Sequence, residues 1–197
     1  AIDKDVDTIL MAEVKSEASY VKHHKTKIAY VFSAMRHFAK HLVSEGYNVE
    51  YVKYNDKRDN SSLVKVIEQI VGIKQISKIC ISKPAEYRLF EDVSSWETKL
   101  GIPTDLYPDN RFIATEQRFK DWADGRKQLR MEYFYREMRK DVRCLMDGDK
   151  PIGGKWNFDA QNREKLPKEI KPPLPTKFEL DEMTKEVINL VKAEFSD

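Results

Sequence analysis

The first half of the chain predicts an α/β fold, in which an open parallel sheet is covered by helices on both faces. Short apolar runs alternate three times with longer segments of helical periodicity, the pattern of successive strand–helix–strand units. The first apolar run is almost continuous, as expected for a parallel strand buried on both sides. We place this α/β domain at residues 1–110.

Four segments are predicted to be strands. Asp7–Val14 and Ile76–Ser82 are mainly apolar, and Tyr47–Tyr54 alternates and is rich in Tyr and Val. Ile102–Tyr107 is short, and its Pro103 cannot donate a hydrogen bond to a neighbouring strand. The fourth strand is therefore expected to lie at an edge of the sheet or to begin after this proline.

The longest predicted helix lies within Glu17–Gly46, between the first two strands. Its apolar residues recur at the i, i+3, i+4, i+7 spacing of one helical face. They are Ile28, Val31, Phe32, Met35, Phe38, Ala39 and Leu42. Gly46 is expected just after the helix, because glycine adopts the left-handed conformation without a Cβ clash. Further helices are predicted at Leu63–Val71, capped by Ser62, and at Pro84–Leu100.

The second half of the chain has a different character. Residues 111–163 are predicted to be a helical and loop region, with helices at Thr115–Asp124 and Arg126–Met146, and are expected to pack on another domain. Residues 164–197 hold a proline-rich linker and a terminal amphipathic helix, Asp181–Phe195.

The helix predicted from Arg126 is crowded with basic and aromatic residues. Residues 126–143 contain seven basic and three acidic side chains, together with Tyr133, Phe134 and Tyr135. Contact with phosphate groups is one interpretation of this pattern. The other is packing of the aromatic side chains against another domain, with the charges in solvent. Three successive aromatic residues favour packing, because they are too apolar for a fully solvated face.

The composition narrows the possible classes of protein. Hydrophobic residues make up 41% of the chain, enough for a core, and the net charge is only +2, so a dedicated nucleic-acid domain is not indicated. Cys80 and Cys144 are far apart, so they predict neither a disulfide framework nor a zinc site and indicate a reducing, cytoplasmic setting. Cys80 is expected to be buried. No apolar run approaches the roughly 20 residues that span a bilayer, so no membrane partner is expected.

Ligands of open parallel sheets bind beyond the carboxyl ends of the strands, and this rule selects three turns of the chain. They are Lys15–Glu17 with Tyr20, Asn55–Asp56, and Lys83–Arg88. At the first turn, the Glu17 carboxylate can accept hydrogen bonds from the N–H groups of a heterocyclic ring, and Tyr20 can stack or donate. Glu17 can equally cap its own helix, where a negative charge suits the helix dipole, and spacing alone favours the cap.

All four histidines lie around the long predicted helix. His23 and His24 are adjacent and do not face the same way on a helix, and His37 and His41 are one turn apart without a third ligand in view. Solvent-exposed or hinge histidines are therefore favoured over a metal site. The sequence also lacks the glycine motifs of dinucleotide and nucleoside-triphosphate sites and the serine-hydrolase motif.

Several strings of residues together resemble a known family. They are Glu13-Val14, Glu17–Lys25, Phe32–Ala39, Gly125–Lys127, Met131–Arg139 and Gly153–Arg163. The strings resemble the deoxyribodipyrimidine photolyase-related proteins, which are the bacterial (6-4) photolyases and cryptochromes that carry an iron–sulphur cluster. The resemblance covers nearly the whole chain.

The resemblance implies a Rossmann-like N-terminal domain that holds a light-harvesting antenna, typically a ribityl-lumazine. It also implies a C-terminal helical domain that binds FAD and a [4Fe-4S] cluster and repairs (6-4) lesions in DNA by light-driven electron transfer. By this resemblance Glu17 and Tyr20 match antenna-pocket positions, and Val31 matches an apolar wall position. Ala12 stands at a pocket position where some members have Cys. On this ground Glu17 is interpreted as a ligand-binding residue rather than a cap.

Two features depart from the family pattern. Pro84–Arg88 reads Pro-Ala-Glu-Tyr-Arg where the family has Pro-Gly-Glu-Trp-Arg. The family's opening strand, which ends in Gly-Asp-Gln-Leu, would precede residue 1, and the FAD and cluster domain would follow residue 197. Residues 1–197 are therefore expected not to repair DNA by themselves.

The sequence thus predicts the light-harvesting, antenna-binding portion of a photolyase-related flavoprotein that repairs (6-4) photoproducts or senses blue light. The C-terminal helical catalytic domain and DNA are the partners expected for the intact protein. The alternative is a docking or structural α/β domain with no chromophore of its own. A nucleotide-binding enzyme domain is a third interpretation.

Overall fold

The computed structural model describes residues 2–195, leaving the side chain of Gln161 aside. The helices are α1 (Lys15–Ser19), α2 (Lys25–Ser44), α3 (Leu63–Ile73), α4 (Tyr87–Ser94), α5 (Trp96–Leu100), α6 (Glu116–Ala123), α7 (Met131–Asp141) and α8 (Glu182–Glu194). The strands are β1 (Ile9–Ala12), β2 (Val49–Val52), β3 (Ile79–Ser82), β4 (Thr104–Tyr107), β5 (Met146–Asp147) and β6 (Lys150–Pro151). A single turn of 3-10 helix spans Asp159–Gln161. None of the helices in these residues is long and apolar enough to cross a lipid bilayer.

The strands form short pairs. β1 and β2 are parallel, with Ile9 opposite Val49 and Ala12 opposite Val52. β3 and β4 form a second pair, and β5 and β6 form an antiparallel hairpin. Across residues 2–195 the strands are paired two by two rather than in one sheet. The predicted mixture of helices and parallel strands is therefore confirmed, whereas a continuous Rossmann-like sheet is not shown.

The described residues group into two compact units. Unit 1 holds the residues up to Ile79, Ser94–Pro103 and those from Thr176 on. Unit 2 holds Cys80–Val93 and Thr104–Pro175. The sequence predicts three regions, 1–110, 111–163 and 164–197, and their boundaries stay a prediction. The first and last of these residues, 1 and 197, lie outside the described residues.

Unit 1 has a buried cluster on each face of the β1–β2 pair. On one face, Val14 and Val52 pack with Val66 and Ile70 of α3. On the other, residues of three helices form a second cluster, namely Ala18 of α1, Ile28 and Phe32 of α2, and Val187 and Val191 of α8. The predicted covering of strands by helices on both faces is thus observed for this pair.

The region predicted as one long helix is divided into α1 and α2. The α1 helix ends at Ser19, and α2 begins at Lys25 after His24, whose Nδ1 accepts a hydrogen bond from the backbone N–H of Thr26 at 3.1 Å. The α2 helix ends as predicted, because Gly46 has φ of +84°. Its backbone N–H donates to Val43 O, and that of Tyr47 donates to Leu42 O, both at 3.0 Å.

The inward face of α2 differs from the predicted apolar stripe. Ser33 and Arg36 are buried, whereas Val31 and Phe38 are exposed. The buried face is rotated from the predicted stripe because α2 packs against polar partners of Ser33 and Arg36 as well as against the apolar cluster. The buried face of α3 carries Val66, Ile67 and Ile70.

Two other predicted helices are shorter than expected. The segment Pro84–Leu100 is divided at Ser95 into α4 and α5, and Val93 and Trp96 are buried on either side of this division. The helix predicted to reach Met146 ends at Asp141. It ends there because Arg143 and Leu145 take left-handed backbone conformations, with φ of 51° and 53°, which interrupt a right-handed helix.

Cys80 corrects another expectation. The thiol is free but exposed, as is that of Cys144. Along β3 the side chains alternate between half-buried and exposed, and Cys80 and Ser82 fall on the exposed side. The apolar character of the run led to the wrong expectation, because only alternate residues of this strand are covered.

Candidate functional site

The carboxyl end of the β1–β2 pair is where the chain turns from β1 into α1. The backbone N–H of Glu13 donates to Val52 O at 2.9 Å, and that of Lys15 donates to Asn60 O at 2.9 Å. The N–H of Ser16 donates to Ser61 O at 3.0 Å. The first residues of α1 are therefore held by the backbone of the loop that precedes α3.

Asn60 strengthens this attachment from inside the protein. Its side chain is almost fully buried, and its Nδ2 lies 3.2 Å from Glu13 O, 3.1 Å from Lys53 O and 2.7 Å from Tyr54 O. The amide thus donates to carbonyl groups that follow both strands. Because buried carbonyl groups need a partner, Asn60 holds the two strand ends in a fixed relation.

The most deeply buried charge at this end of the pair is the carboxylate of Glu13, whose residue is only 1% exposed. Oε1 accepts from Arg36 Nε at 2.6 Å and from the Tyr51 hydroxyl at 2.8 Å. Oε2 accepts from Arg36 Nη2 at 2.9 Å and from the backbone N–H of Tyr54 at 2.7 Å. Both oxygens are therefore satisfied, as a buried carboxylate requires.

Arg36 joins this carboxylate to a second one. Its Nη1 donates to Glu186 Oε1 of α8 at 3.0 Å, and Lys53 Nζ donates to the same oxygen at 2.8 Å. Burial disfavours the charged form of Arg36, but the hydrogen bonds and the charges of Glu13 and Glu186 outweigh it, so the pKa of the guanidinium is raised. For Tyr51, burial and the nearby Glu13 carboxylate raise the pKa of the phenol.

No local sequence pattern predicts this network. A glutamate inside an apolar strand was a usable signal, because a carboxylate in a buried strand requires a charged or hydrogen-bonding partner. The partners Arg36, Asn60 and Glu186 are far away in the chain, so no local pattern could select them.

Three of the four predicted site residues lie on the helices that follow β1 or directly beside them. Glu17 is half-buried in the first turn of α1, and Ser16 Oγ donates to its Oε1 at 3.3 Å. Tyr20 is 50% exposed, with its ring edge-on to His23 at 5.4 Å between centroids. Val31, on α2, is 41% exposed. The two helices share one buried cluster, so their packing fixes the spacing between these residues.

Ala12 is placed differently. It is the last residue of β1, and its side chain packs against the Val14 cluster on the α3 face. Since side chains alternate along a strand, Ala12 and Val14 lie on the face opposite Glu13 and α2. The structure therefore does not bring the Ala12 side chain to the same face of the pair as Val31.

The other two turns selected from the sequence carry side chains that are engaged locally. Asp56 accepts from Arg58 Nη2 at 3.0 Å, and this arginine lowers the pKa of the Asp56 carboxyl to about 2. At the third turn, Lys83 donates to Glu116 at 2.8 Å. Local pairing therefore occurs at these two turns, as it does at the first turn between Ser16 and Glu17.

Defined hydrogen-bond partners hold His24 and His37. His24 caps α2, and His37 Nε2 lies 2.5 Å from Asp181 Oδ2. Among residues 2–195, no group of three or more His, Cys, Asp and Glu side chains is arranged to hold a metal ion.

Unit 2 contains the basic and aromatic helix α7. Phe134 is buried and packs against Trp122 and Phe119 of α6, with ring centroids 5.0 and 5.2 Å away. Arg139 is also buried, and its guanidinium donates to Cys144 O at 3.2 Å and to Leu145 O. These contacts are structural, so the buried side of α7 serves packing inside the unit.

The exposed side of α7 borders a hollow of about 540 Å³. It is lined by Met131, Glu132, Tyr135, Arg139, Leu145, Ile152, Lys155, Trp156, Asn157, Phe158 and Asp159. Three cationic groups, those of Arg136, Arg139 and Lys140, lie 5.4 to 5.7 Å from the Trp156 ring centroid. The hollow thus combines apolar, basic and acidic side chains, and we call it the Trp156 hollow.

Comparison of the sequence with known proteins identifies its family. The sequence is 44% identical over 196 residues to a (6-4) photolyase of Agrobacterium fabrum, a match that spans 100% of the chain and 39% of the photolyase. It is 26% identical over 155 residues to the uncharacterized protein R852 of Acanthamoeba polyphaga mimivirus, covering 77% of the chain and 76% of that protein. The chain therefore spans about two fifths of the length of the photolyase.

The sequence pattern of a protein family matches residues 1–197 in full. Together with the identity to the photolyase, this match agrees with the resemblance carried by the strings around Glu17 and Gly153. The chain belongs to the deoxyribodipyrimidine photo-lyase-related protein family.

Proposed function

We propose that this chain is the light-harvesting portion of a photolyase-related flavoprotein and binds a ribityl-lumazine at the turn before α1. The observation that carries the proposal is the placement of Glu17 and Tyr20. Both lie in or next to α1, directly beyond the carboxyl end of a parallel strand pair, and neither side chain is fully buried. Similarity of the whole chain to 39% of a (6-4) photolyase supports the same assignment.

The residues at this turn suit a flat, polar heterocycle. The Glu17 carboxylate can accept from ring N–H groups, the Tyr20 ring offers a face for stacking, and Val31 offers an apolar wall. The Ala12 side chain faces α3, so we propose only that its small size leaves space for the ligand at the end of β1. A lumazine held here would absorb violet light and pass the excitation to a flavin.

In the intact protein we propose that the flavin is FAD, bound with a [4Fe-4S] cluster in a C-terminal helical domain. The intact protein would then act on (6-4) lesions in DNA as a light-driven lyase, or sense blue light. Support comes from the photolyase relative, of which this chain matches 39%. A cytoplasmic setting, predicted from the cysteines, is part of the same proposal.

We further propose that the Trp156 hollow contacts this helical domain. Five large apolar side chains line it and remain exposed, namely Met131, Tyr135, Leu145, Ile152 and Phe158. Exposed apolar patches of this kind mark interaction surfaces. This observation also favours the second candidate function, a docking domain that has no chromophore of its own.

The experiment compares site variants of the intact protein with matched controls. Glu17→Ala and Val31→Trp are expected to purify without lumazine, measured by chromatography of the released chromophores. Glu182→Ala removes another first-turn glutamate, from α8, and Val43→Trp enlarges another exposed valine of α2. Both controls are expected to retain the chromophore. Equal lumazine content in all four variants would reject the site.

Docking is tested separately. Ile152→Asp introduces a charge into the Trp156 hollow and is expected to lower the temperature at which the intact protein releases its flavin. Ile73→Asp, at an exposed position of α3, serves as the control and is expected to leave this temperature unchanged. Equal release temperatures for the two variants would argue against the contact.

A further inference from the structure

The Glu13 network connects several elements beside the proposed lumazine site. Glu13 directly follows Ala12 and comes four residues before Glu17. Arg36 comes five residues after Val31 on α2, and Tyr51 and Tyr54 belong to β2 and the residues just after it. One buried carboxylate therefore links β1, α2 and the end of β2 through four hydrogen bonds.

The form of the contact fixes orientation. A guanidinium that donates from Nε and Nη2 to the two oxygens of one carboxylate is held in a plane, which restricts both rotation and sliding of its helix. The contact between Arg36 and Glu13 has this geometry, at 2.6 and 2.9 Å. It thus sets the position of α2, and with it Val31, against the strand that leads into α1.

The α8 helix supplies a third member of the network. Glu186 accepts from Arg36 Nη1, and the hydroxyls of Ser33 and Thr184 lie 2.9 Å apart across the same two helices. Val187 and Val191, on α8, complete the cluster that α1 and α2 share. The helix that follows the proline-rich segment is therefore part of the scaffold beneath the proposed site.

Stability alone does not account for such an arrangement. Replacing a buried ion pair by apolar groups of similar size often leaves stability unchanged or raises it. A buried ion pair whose hydrogen bonds are all satisfied can instead hold the elements that carry it in a single defined geometry. Glu13 and Arg36 do not need to touch a chromophore to have this effect.

Building on the function proposed above, we propose that Glu13 and Arg36 are positioning residues for the lumazine site, with Glu186 of α8 as their third partner. They align the α1 turn with α2, so that Glu17, Tyr20 and Val31 meet one ligand. The pair acts through the backbone and through the α1–α2 packing.

The test uses the intact protein and dimethyl-ribityl-lumazine as the probe. The key variant is the double substitution Glu13→Gln with Arg36→Met, which removes both charges while the amide oxygen introduced at position 13 can still accept from the Tyr54 N–H. Val66→Ala is the matched control, because it opens a small cavity in the α3 cluster and leaves the ion pair intact. The thermal unfolding midpoint, the dissociation constant and the absorption spectrum of the bound probe are recorded for each.

The double variant is expected to bind the probe about tenfold more weakly and with a shifted absorption maximum, even if its unfolding midpoint equals that of the control. Glu186→Gln is expected to shift the spectrum in the same direction by a smaller amount. The control is expected to keep the wild-type dissociation constant and spectrum.

The outcomes separate the two proposals. If the wild-type protein binds the probe and the double variant matches Val66→Ala in both affinity and spectrum, the positioning role is wrong while the antenna function stands. If the wild-type protein does not bind the probe, the antenna function fails and the positioning role fails with it.

Discussion

Arg36 holds the buried carboxylate of Glu13 with two nitrogens, Nε at 2.6 Å from Oε1 and Nη2 at 2.9 Å from Oε2. The side chains of both residues are at most 4% exposed. The contact joins the first strand to the longest helix at the place where the chain turns into α1. It therefore makes the position of α1 depend on a pairing between residues 23 positions apart.

Loss of the Glu13 carboxylate should be among the most destabilising changes in unit 1. In Glu13→Ala the Arg36 guanidinium stays buried without its main partner, and we expect the free energy of unfolding to fall by about 3–5 kcal/mol. Urea denaturation measures this change. Glu50→Ala breaks a more exposed pair with Arg58 and is expected to cost about 1 kcal/mol or less. Equal losses in the two variants would contradict the role assigned to Glu13.

The α8 helix should be part of the folded core of unit 1, not an appended tail. Val187 is fully buried in the cluster formed with α1 and α2, so Val187→Ala is expected to lower the free energy of unfolding by about 2 kcal/mol. The same variant should be cut faster by proteases within residues 164–180. Lys192→Ala, on the exposed side of α8, is the control and should alter neither property.

The contact between α2 and α8 should weaken as the pH rises. His37 Nδ1 lies 2.7 Å from Ser33 O, and Nε2 lies 2.5 Å from the Asp181 carboxylate. Both partners only accept, so both ring nitrogens must donate and the imidazole carries a charge. The bond to Asp181, helped by that to Ser33, raises the pKa of His37. The Thr184 N–H and His37 hold the pKa of Asp181 below its ordinary value.

The directions of the two pKa shifts define a pH window for this contact. The raised pKa of His37 gives a contribution to folding stability that is complete below about pH 6.5 and is lost as the pH rises through the folded-state pKa. The lowered pKa of Asp181 gives a contribution to folding stability that is complete above about pH 4 and is lost only in stronger acid. As the pH rises above about 6.5, the thermal unfolding midpoint should therefore fall by a larger amount in the wild-type protein than in His37→Gln. Parallel curves for the two proteins would disprove this, and His41→Gln provides the histidine control on α2.

Local signals in the sequence predicted most of the elements. The periodicity around Ile28 and Phe32, the cap at Ser62 and the glycine at position 46 all act over a few residues, and the structure confirms them. Helix ends set by tertiary contacts were less predictable. The early end of α7 coincides with hydrogen bonds from Arg139 to the next loop, which no local pattern shows.

The turn before α1 was selected from local signals too, and its role as a binding site stays a prediction. Glu17 and Tyr20 follow an apolar strand directly, so the rule for parallel sheets selected them without knowledge of the fold. The Glu13 network was not predictable, because the side chain of Arg36 was placed on the buried face of α2 by partners on β1 and α8. Pairing between distant charges is decided by the tertiary structure.

The central claim is that this chain binds a light-harvesting chromophore at the turn before α1. The most direct measurement is the absorption spectrum of the purified intact protein after gentle removal of FAD, with the remaining chromophore identified by mass. We predict a violet band from a ribityl-lumazine that is present in the wild-type protein and missing in Glu17→Ala. A wild-type protein that is colourless after FAD removal, or a band that persists unchanged in Glu17→Ala, would contradict the claim.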